Sequence, residues 1–378
     1  MIIAEIGTSH EGSIKKAKEL TDVACESGAD FIKFQWVYAN EILHKKTGFV
    51  NLPAGRIPLY ERFKSLECPK EFYIEMLSYV HSKGKKFICS PFGLKSMKEL
   101  LEIQPDAVKI ASPELNHYEM LKYLKEYRSG QKNRIQVILS TGVSTLSDIE
   151  KALAITGTEN VSILHCITSY PAPEEEYNLS IIENLSRIFG VPAGISDHSL
   201  DPVLVPALSI AYSGCIVEKH ITLSRKTNGL DDTVALEPEQ FALMSHVVNQ
   251  AKAAINRYGI QTGRERIIMQ LAEQFGKEKV QKVIGTGIKK LAPSEQSNYG
   301  RTNRSLHYMN SFQVGHKILK DDIAALRTEK ELTTGISPEF YDLLIGKTLT
   351  KSVTDGDGVE LADFMNSILF TFDVLSFL

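Results

Sequence analysis

The chain has 378 residues, 43% of them hydrophobic and 24% charged, a balance that fits a globular protein able to bury a large core. A formal net charge of −3 with no Lys/Arg-rich run excludes the electrostatic footprint of a nucleic-acid binder, and no apolar stretch reaches the roughly 20 residues of a membrane span. Five scattered cysteines without a CxxC pair exclude a disulfide framework or a zinc knuckle and predict a reducing, cytoplasmic setting, and the opening MIIAEI carries neither the basic region nor the cleavage site of a signal peptide.

Short, apolar, β-branched runs at 2–6, 31–35, 86–92, 107–112, 136–141, 161–167, 193–197 and 215–222 read as strands buried on both faces, as in an all-parallel sheet. Amphipathic segments separate them. Residues 13–27 place Ile14, Ala17, Leu20 and Ala24 on one face, with Gly28 as a stop. Residues 69–82 begin with proline and end before Gly84. Residues 144–154 offer Ser144 or Ser147 as caps ahead of Glu150, and 203–212 and 237–256 complete an outer ring. The long segment 36–68, between the second strand and its helix, has the place of a substrate lid. Eight such units in residues 1–258 predict an α/β fold, a (β/α)₈ barrel. A doubly wound open sheet would carry a Gly-rich fingerprint after its first strand, and GTSHEG is not GxGxxG. Residues 259–302, polar and glycine-containing around a helix-like stretch at 264–275, read as a linker. Residues 303–364, with short strands and the turn signal VTDGDG at 353–358, read as a small second domain. The apolar tail at 365–378 is expected to pack against the body or a partner subunit.

In this fold the carboxyl ends of the strands face the active site, and nearly every predicted strand ends in a chemically capable group. These are Glu5; Lys33 and Gln35; Ser90; Lys109, Ser112 and Glu114; Ser140 and Thr141; His165, Thr168 and Tyr170; Ser196, Asp197 and His198; and Glu218, Lys219 and His220. Lys33 and Lys109 lie inside apolar runs, where an unpaired ammonium is costly to desolvate. Either could snorkel to a rim or pair with Glu5 or Glu114. Two of them on separate strands beside several serines point instead to an anionic ligand such as a phosphate. A lone histidine is more often a satisfied core residue. His198 and His220 end neighbouring strands with Asp197, Glu218 and Asp231 nearby, a pattern that favours a divalent metal. His10 and His117 carry no such pattern, and His165 reads equally well as core.

At these positions the chain resembles the N-acetylneuraminate (sialic acid) synthase family. The matching stretches are AEIGTSHEGS (4–13), ADFIKFQ (29–35), FICSPF (87–92), VKIASPEL (108–115), ILSTGVSTLSDIEKAL (138–153), LHCITSYPAPEEEYNL (164–179), GISDHSLD (194–201) and VEKHITL (217–223). KKLAPSE (289–295) and GISPEFYDLLIGK (335–347) extend the resemblance into a C-terminal antifreeze-like (SAF) domain. The resemblance implies a transferase that condenses phosphoenolpyruvate with an N-acylmannosamine-type amino sugar. Its products would be a nine-carbon 3-deoxy-ulosonic acid, of sialic, legionaminic or pseudaminic type, and phosphate. It implies a divalent metal, commonly manganese with magnesium or cobalt as alternatives, held by His198 and His220. Glu5, Lys33 and Lys109 join these histidines in catalysis, and Ser90, Ser112, Ser140 and Ser196 bind phosphoenolpyruvate with Glu114 beside them. Gln35, Tyr170 and Asp231 match sugar-contacting positions. Arg327 matches an arginine that the partner's antifreeze-like domain supplies in a domain-swapped homodimer. The chain departs from the family pattern in having Thr168 and Ser9 at asparagine-type positions, in lacking the family's sugar-contacting asparagine in the loop before Tyr60, and in having no Pro-Gly after Arg327. Two further readings are a metal-dependent pyruvate aldolase and an inactive carbohydrate-binding barrel in surface polysaccharide assembly.

Overall fold

In chain order the strands are β1 (Ile2–Gly7), β2 (Phe31–Trp36), β3 (Phe49–Leu52), β4 (Gly55–Pro58), β5 (Lys86–Pro91), β6 (Ala107–Ile110), β7 (Gln136–Ser140), β8 (Val161–Cys166), β9 (Ala193–Asp197), β10 (Val217–His220), β11 (Arg304–Tyr308) and β12 (Ile323–Arg327). They belong to a computed structural model that describes residues 1–365 apart from 53, 54, 133 and 228. The apolar tail read from the sequence lies, from 366 on, outside the described residues. Eight strands close a parallel barrel in the order β1-β10-β9-β8-β7-β6-β5-β2, the expected (β/α)₈ architecture. Among the described residues no helix is long and apolar enough to cross a membrane.

The pleat sorts each barrel strand into an outward and an inward face. Outward residues such as Ile2, Ala4, Ile32, Phe34, Val108 and Ile163 pack against the surrounding helices. Inward, Ile3, Phe31, Ile88, Ala107, Ile138, Leu164 and Ile216 form a separate apolar cluster that closes the barrel floor. Two residues further along every one of these strands the inward side chain turns polar, and that switch creates the site.

Two local expectations need correction. The helix Leu146–Thr156 is capped by Thr145, not by Ser144 or Ser147: its hydroxyl accepts from Asp148 N (3.3 Å), and the Asp148 carboxylate accepts from Thr145 N (2.8 Å). Residues read as a polar linker begin with two helices, Ile260–Phe275 and Lys277–Ile284. Ile267, Leu271, Val280, Val283 and Ile284 insert into the barrel's outer core, because spacings of three and four place them on one helical stripe.

The segment after β2 folds as the β3–β4 hairpin and two short helices, Ala39–Ile42 and Leu59–Lys64. It forms a seat for the C-terminal domain. Thr47 O accepts from Lys330 N and Glu331 N (3.2 Å each), Thr47 Oγ1 donates to Thr328 O (3.0 Å), and Leu43 bridges Arg327. The domain itself pairs β11 with β12 antiparallel, Arg304 opposite Arg327, over a core that includes Leu306, Tyr308, Ile318, Ile323 and Val359.

Candidate active site

Above the floor, the inward residues two positions on are Glu5, Lys33, Ser90, Lys109, Ser140, Cys166 and Glu218, and Ser196 takes the corresponding place on β9. With Gln35, Ser112, Tyr170, His198 and His220 they line one pocket at the carboxyl end of the barrel. The two lysines and two histidines predicted to share a site therefore do share one.

Its electrostatics are set by two carboxylates among the two ammonium groups. Lys33 Nζ lies 2.8 Å from Glu5 Oε1 and 3.7 Å from Glu218 Oε1, and donates to Ser90 Oγ at 3.3 Å. Burial presses the Lys33 pKa down, but Glu218 and Glu5 outweigh it and hold the group above its ordinary value. Lys109 has only Glu218, at 3.6 Å, and donates to Ser140 Oγ at 2.6 Å. Here burial wins and its pKa falls. Lys109 is thus the under-compensated cation, the one an arriving anion would stabilise most. Glu218 is pushed up by burial but more strongly down by Lys109 and Lys33, so it stays ionised. Burial raises Glu5, and the nearby Glu218 charge adds to the rise. Glu5 Oε1 is occupied by Lys33 and by Gln35 Nε2 (2.7 Å), whereas Glu5 Oε2 and Glu218 Oε2 are buried without a hydrogen-bond partner. Buried unpaired carboxylate oxygens are costly, and these two belong to a pocket that a polar substrate could complete.

His198 and His220 end β9 and β10 with ring centroids 5.6 Å apart. His198 Nδ1 lies 2.8 Å from Ile167 O. A carbonyl only accepts, so Nδ1 carries a proton. Burial opposes charge on the ring, but Cys166, with Sγ 3.8 Å from Nδ1, and the Ile167 carbonyl raise its pKa to about 9, so Nε2 must give up a proton before it can bind a cation. Burial, then His198, holds His220 well below the usual imidazole range, so it is neutral. Two imidazoles on adjacent strands, His220 neutral and His198 once Nε2 has lost its proton, fit two ligands of a divalent cation. No group of three or more His, Cys, Asp or Glu among the described residues is arranged to hold a metal, so water or substrate oxygens would have to fill the remaining positions. Tyr170 stacks on His198 at 4.3 Å, with its hydroxyl 3.4 Å from Nε2.

Four candidates stand apart from this lining. Asp231 Oδ2 lies 4.0 Å from His220 Nδ1, and burial, then the Glu5 charge, raises its carboxyl to about 6. Thr168 has a buried hydroxyl with no partner. Glu114, fully buried, accepts from Arg327 Nη2 at 2.8 Å and from Arg304 Nη2 at 2.9 Å. Arg327 thereby reaches the barrel mouth of its own chain, where the resemblance led us to expect a partner's arginine.

Some strand-end groups face the other way. Asp197 takes no part beside the histidines: its side chain points outward and pairs with Lys219 at 2.6 Å, both fully buried. His165 points outward as well, a core histidine with Nε2 2.7 Å from Tyr177 O and Nδ1 buried without a partner. His10 packs on Phe72 at 4.6 Å. Thr141 turns its hydroxyl back to Leu164 O (3.0 Å). Sequence reasoning set Glu218 beside the metal, yet its place is between the lysines; the period-two alternation from Ile216 could have located it. It passed over Arg304 and Asp232. Asp232 accepts from Ser9 Oγ (2.5 Å) and Gly229 N (2.9 Å) and so orders the loop that presents Asp231. Neither contact leaves a local spacing signal.

The model of the NeuB family matches residues 20–259, and that of the SAF domain matches residues 303–365. The Bacillus subtilis spore coat polysaccharide biosynthesis protein SpsE is 30% identical over 91% of this chain and 87% of its own. Its crystal structure superposes with a TM-score of 0.77 at 28% identity, covering 97% of this chain and 95% of that one. The Campylobacter jejuni N,N'-diacetyllegionaminic acid synthase is 29% identical over 94% of this chain and 98% of its own. The structure of a sialic acid synthetase from Leptospira borgpetersenii, in complex with citrate, covers 79% of this chain and 89% of its own at 28% identity, with a TM-score of 0.58.

Proposed function

The chain belongs to the NeuB family, and on that premise we propose that it is a synthase of nine-carbon 3-deoxy-ulosonic acids, condensing phosphoenolpyruvate with an N-acylmannosamine-type aldehyde. The observation that carries the reading is the joint presence of Lys33, Lys109, four serines and two imidazoles in one buried pocket. A small ligand with both a carboxylate and a phosphate matches the lysines and hydroxyls, and Lys109, short of negative charge, is the natural phosphate partner. The enol carbon bonds to the aldehyde carbon, water adds at the former enol-ether carbon, and phosphate leaves with its bridging oxygen. A divalent cation held by His198 and His220, manganese on the family's precedent, would polarise the aldehyde oxygen. Glu5, with one oxygen anchored by Lys33 and Gln35 and the other free, orients the aldehyde or the water and moves the proton. Gln35, Tyr170 and Asp231 border the sugar, and Thr168, packed with Ser112 against the Gly142 turn, borders the phosphoenolpyruvate end. Arg327, which holds Glu114 at the mouth of its own barrel, would reach the sugar's N-acyl end, and in a homodimer with exchanged SAF domains the partner's Arg327 would take that place.

The direct test is phosphate release with product mass. Phosphoenolpyruvate, an N-acyl hexosamine and Mn²⁺ together should yield phosphate and a nine-carbon acid, while omitting any one should not. A barrel that consumes pyruvate in place of phosphoenolpyruvate, or that turns over none of the plausible amino sugars, would contradict the proposal.

A further inference from the structure

The segment between barrel and C-terminal domain holds two mouth loops by their backbones, from about 150 residues away in sequence. Glu295 is buried, and its Oε2 accepts both Val143 N (3.0 Å) and Thr168 N (2.9 Å); its Oε1 accepts Ala292 N (3.2 Å). The carbonyls of the same two residues are taken by neighbouring linker side chains. Asn303 Nδ2 donates to Val143 O and Asn298 Nδ2 to Thr168 O, each at 3.0 Å. Val143 and Thr168 thus have both main-chain groups satisfied by residues 295–303.

Val143 needs such a hold. It is a β-branched residue at φ 41°, a left-handed conformation that bulky side chains disfavour. Strain of this kind costs on the order of 1–3 kcal/mol and persists only where surroundings over-determine it. The strained turn is the one that presents the anion pocket: it follows Ser140, which holds Lys109, and Gly142 N donates to Ser112 Oγ at 3.0 Å. Gly142 has no room for a side chain, since a Cβ there would sit 2.3 Å from Thr168 Oγ1 and 2.9 Å from Ser112 Oγ. Ser112 Oγ and Thr168 Oγ1 are therefore packed against this turn, and a shift of the turn would change the space and the amide that these hydroxyls meet.

We infer that Glu295 is a positioning residue for the phosphoenolpyruvate end of the site, acting through the Val143 and Thr168 amides. The inference rests on the proposed function only in naming the ligand. One carboxylate oxygen serving two buried amides is a charge-assisted arrangement that a neutral side chain reproduces poorly. Its loss should relax the turn without touching the groups around His220 and Asp231.

The test is calorimetric titration of phosphoenolpyruvate into the full-length protein with Mn²⁺, beside steady-state kinetics. Glu295→Ala should weaken phosphoenolpyruvate binding about tenfold to a hundredfold, with the amino-sugar KM within about twofold of wild type; Glu295→Asp should recover part of the loss. Should the alanine variant not fold, Glu295→Gln, which keeps one acceptor but loses the charge, is expected to show the same selective weakening. Unchanged phosphoenolpyruvate affinity in a folded variant overturns the inference, as does an equal loss for both substrates. If wild-type protein itself fails to bind phosphoenolpyruvate, the functional reading falls, and the inference with it.

Discussion

The two ends of the pocket are built differently. At the inner end Lys33, Ser90, Lys109, Ser140, Ser196 and Glu218 all come from barrel strands, and all but Ser196 lie two residues beyond a floor position. At the outer end Tyr170, Asp231 and Arg327 come from loops and from the C-terminal domain. The inner groups inherit their positions from the pleat and register of a closed sheet, which cannot shift one residue without turning every side chain over. The outer groups depend on how loops are ordered and how a second domain sits. A rigid scaffold suits the part of a reaction that stays constant, and adaptable loops suit the part that selects a partner. The comparison therefore assigns chemistry to the strands and sugar choice to the loops.

Removing the divalent cation should have the largest effect. Dialysis against a chelator should take phosphate release to background, and Mn²⁺ should restore it. Next, Lys109→Met should lower kcat/KM by about a thousandfold or more through lost charge-assisted contact to the anion, while thermal unfolding barely moves. Lys219→Met should invert that pattern. It leaves Asp197 as a buried unpaired charge, which costs on the order of 3–5 kcal/mol of stability, so its melting temperature should fall steeply. If both lysines cost stability alike, the distinction between a ligand-facing and a structural buried lysine fails.

At the outer end Arg327→Ala should raise the amino-sugar KM roughly tenfold to a hundredfold, with phosphoenolpyruvate affinity close to wild type. Co-expressing Lys109→Met with Arg327→Ala then asks which chain's arginine serves each site. Exchange of domains predicts recovery to about a quarter of wild-type turnover, from mixed dimers with one intact site; service within one chain predicts none. Tyr170→Phe removes only the hydroxyl near His198 and should cost the least, about threefold to tenfold in kcat/KM. The comparison would break if it cost as much as Lys109→Met.

The same contrast explains what could be read from the amino acids. Strands with polar ends announced the barrel, and the inner pocket followed from it. The miss there came from listing strand-end residues without alternation: Asp197 and His165 directly follow the inward positions 196 and 164, so they face outward and meet Lys219 and Tyr177. The grip of Arg304 on Glu114, of Asp232 on Ser9, and of Glu295 on Val143 joins residues far apart in the chain. No periodicity encodes such pairs, because they arise only once loops and domain are docked. Of the helices in 260–284, the stretch 264–275 was legible, while Lys277–Ile284 was hidden by the polar character of its exposed face.

The central claim is that the lysines and imidazoles form one reaction centre. A crystal structure of the protein with Mn²⁺ and phosphoenolpyruvate, read by anomalous scattering at the manganese edge, tests it most directly. The account predicts a manganese peak bonded to His198 and His220, and a phosphate within hydrogen-bond distance of Lys109. Manganese away from both imidazoles, or phosphoenolpyruvate outside the barrel mouth, would contradict it.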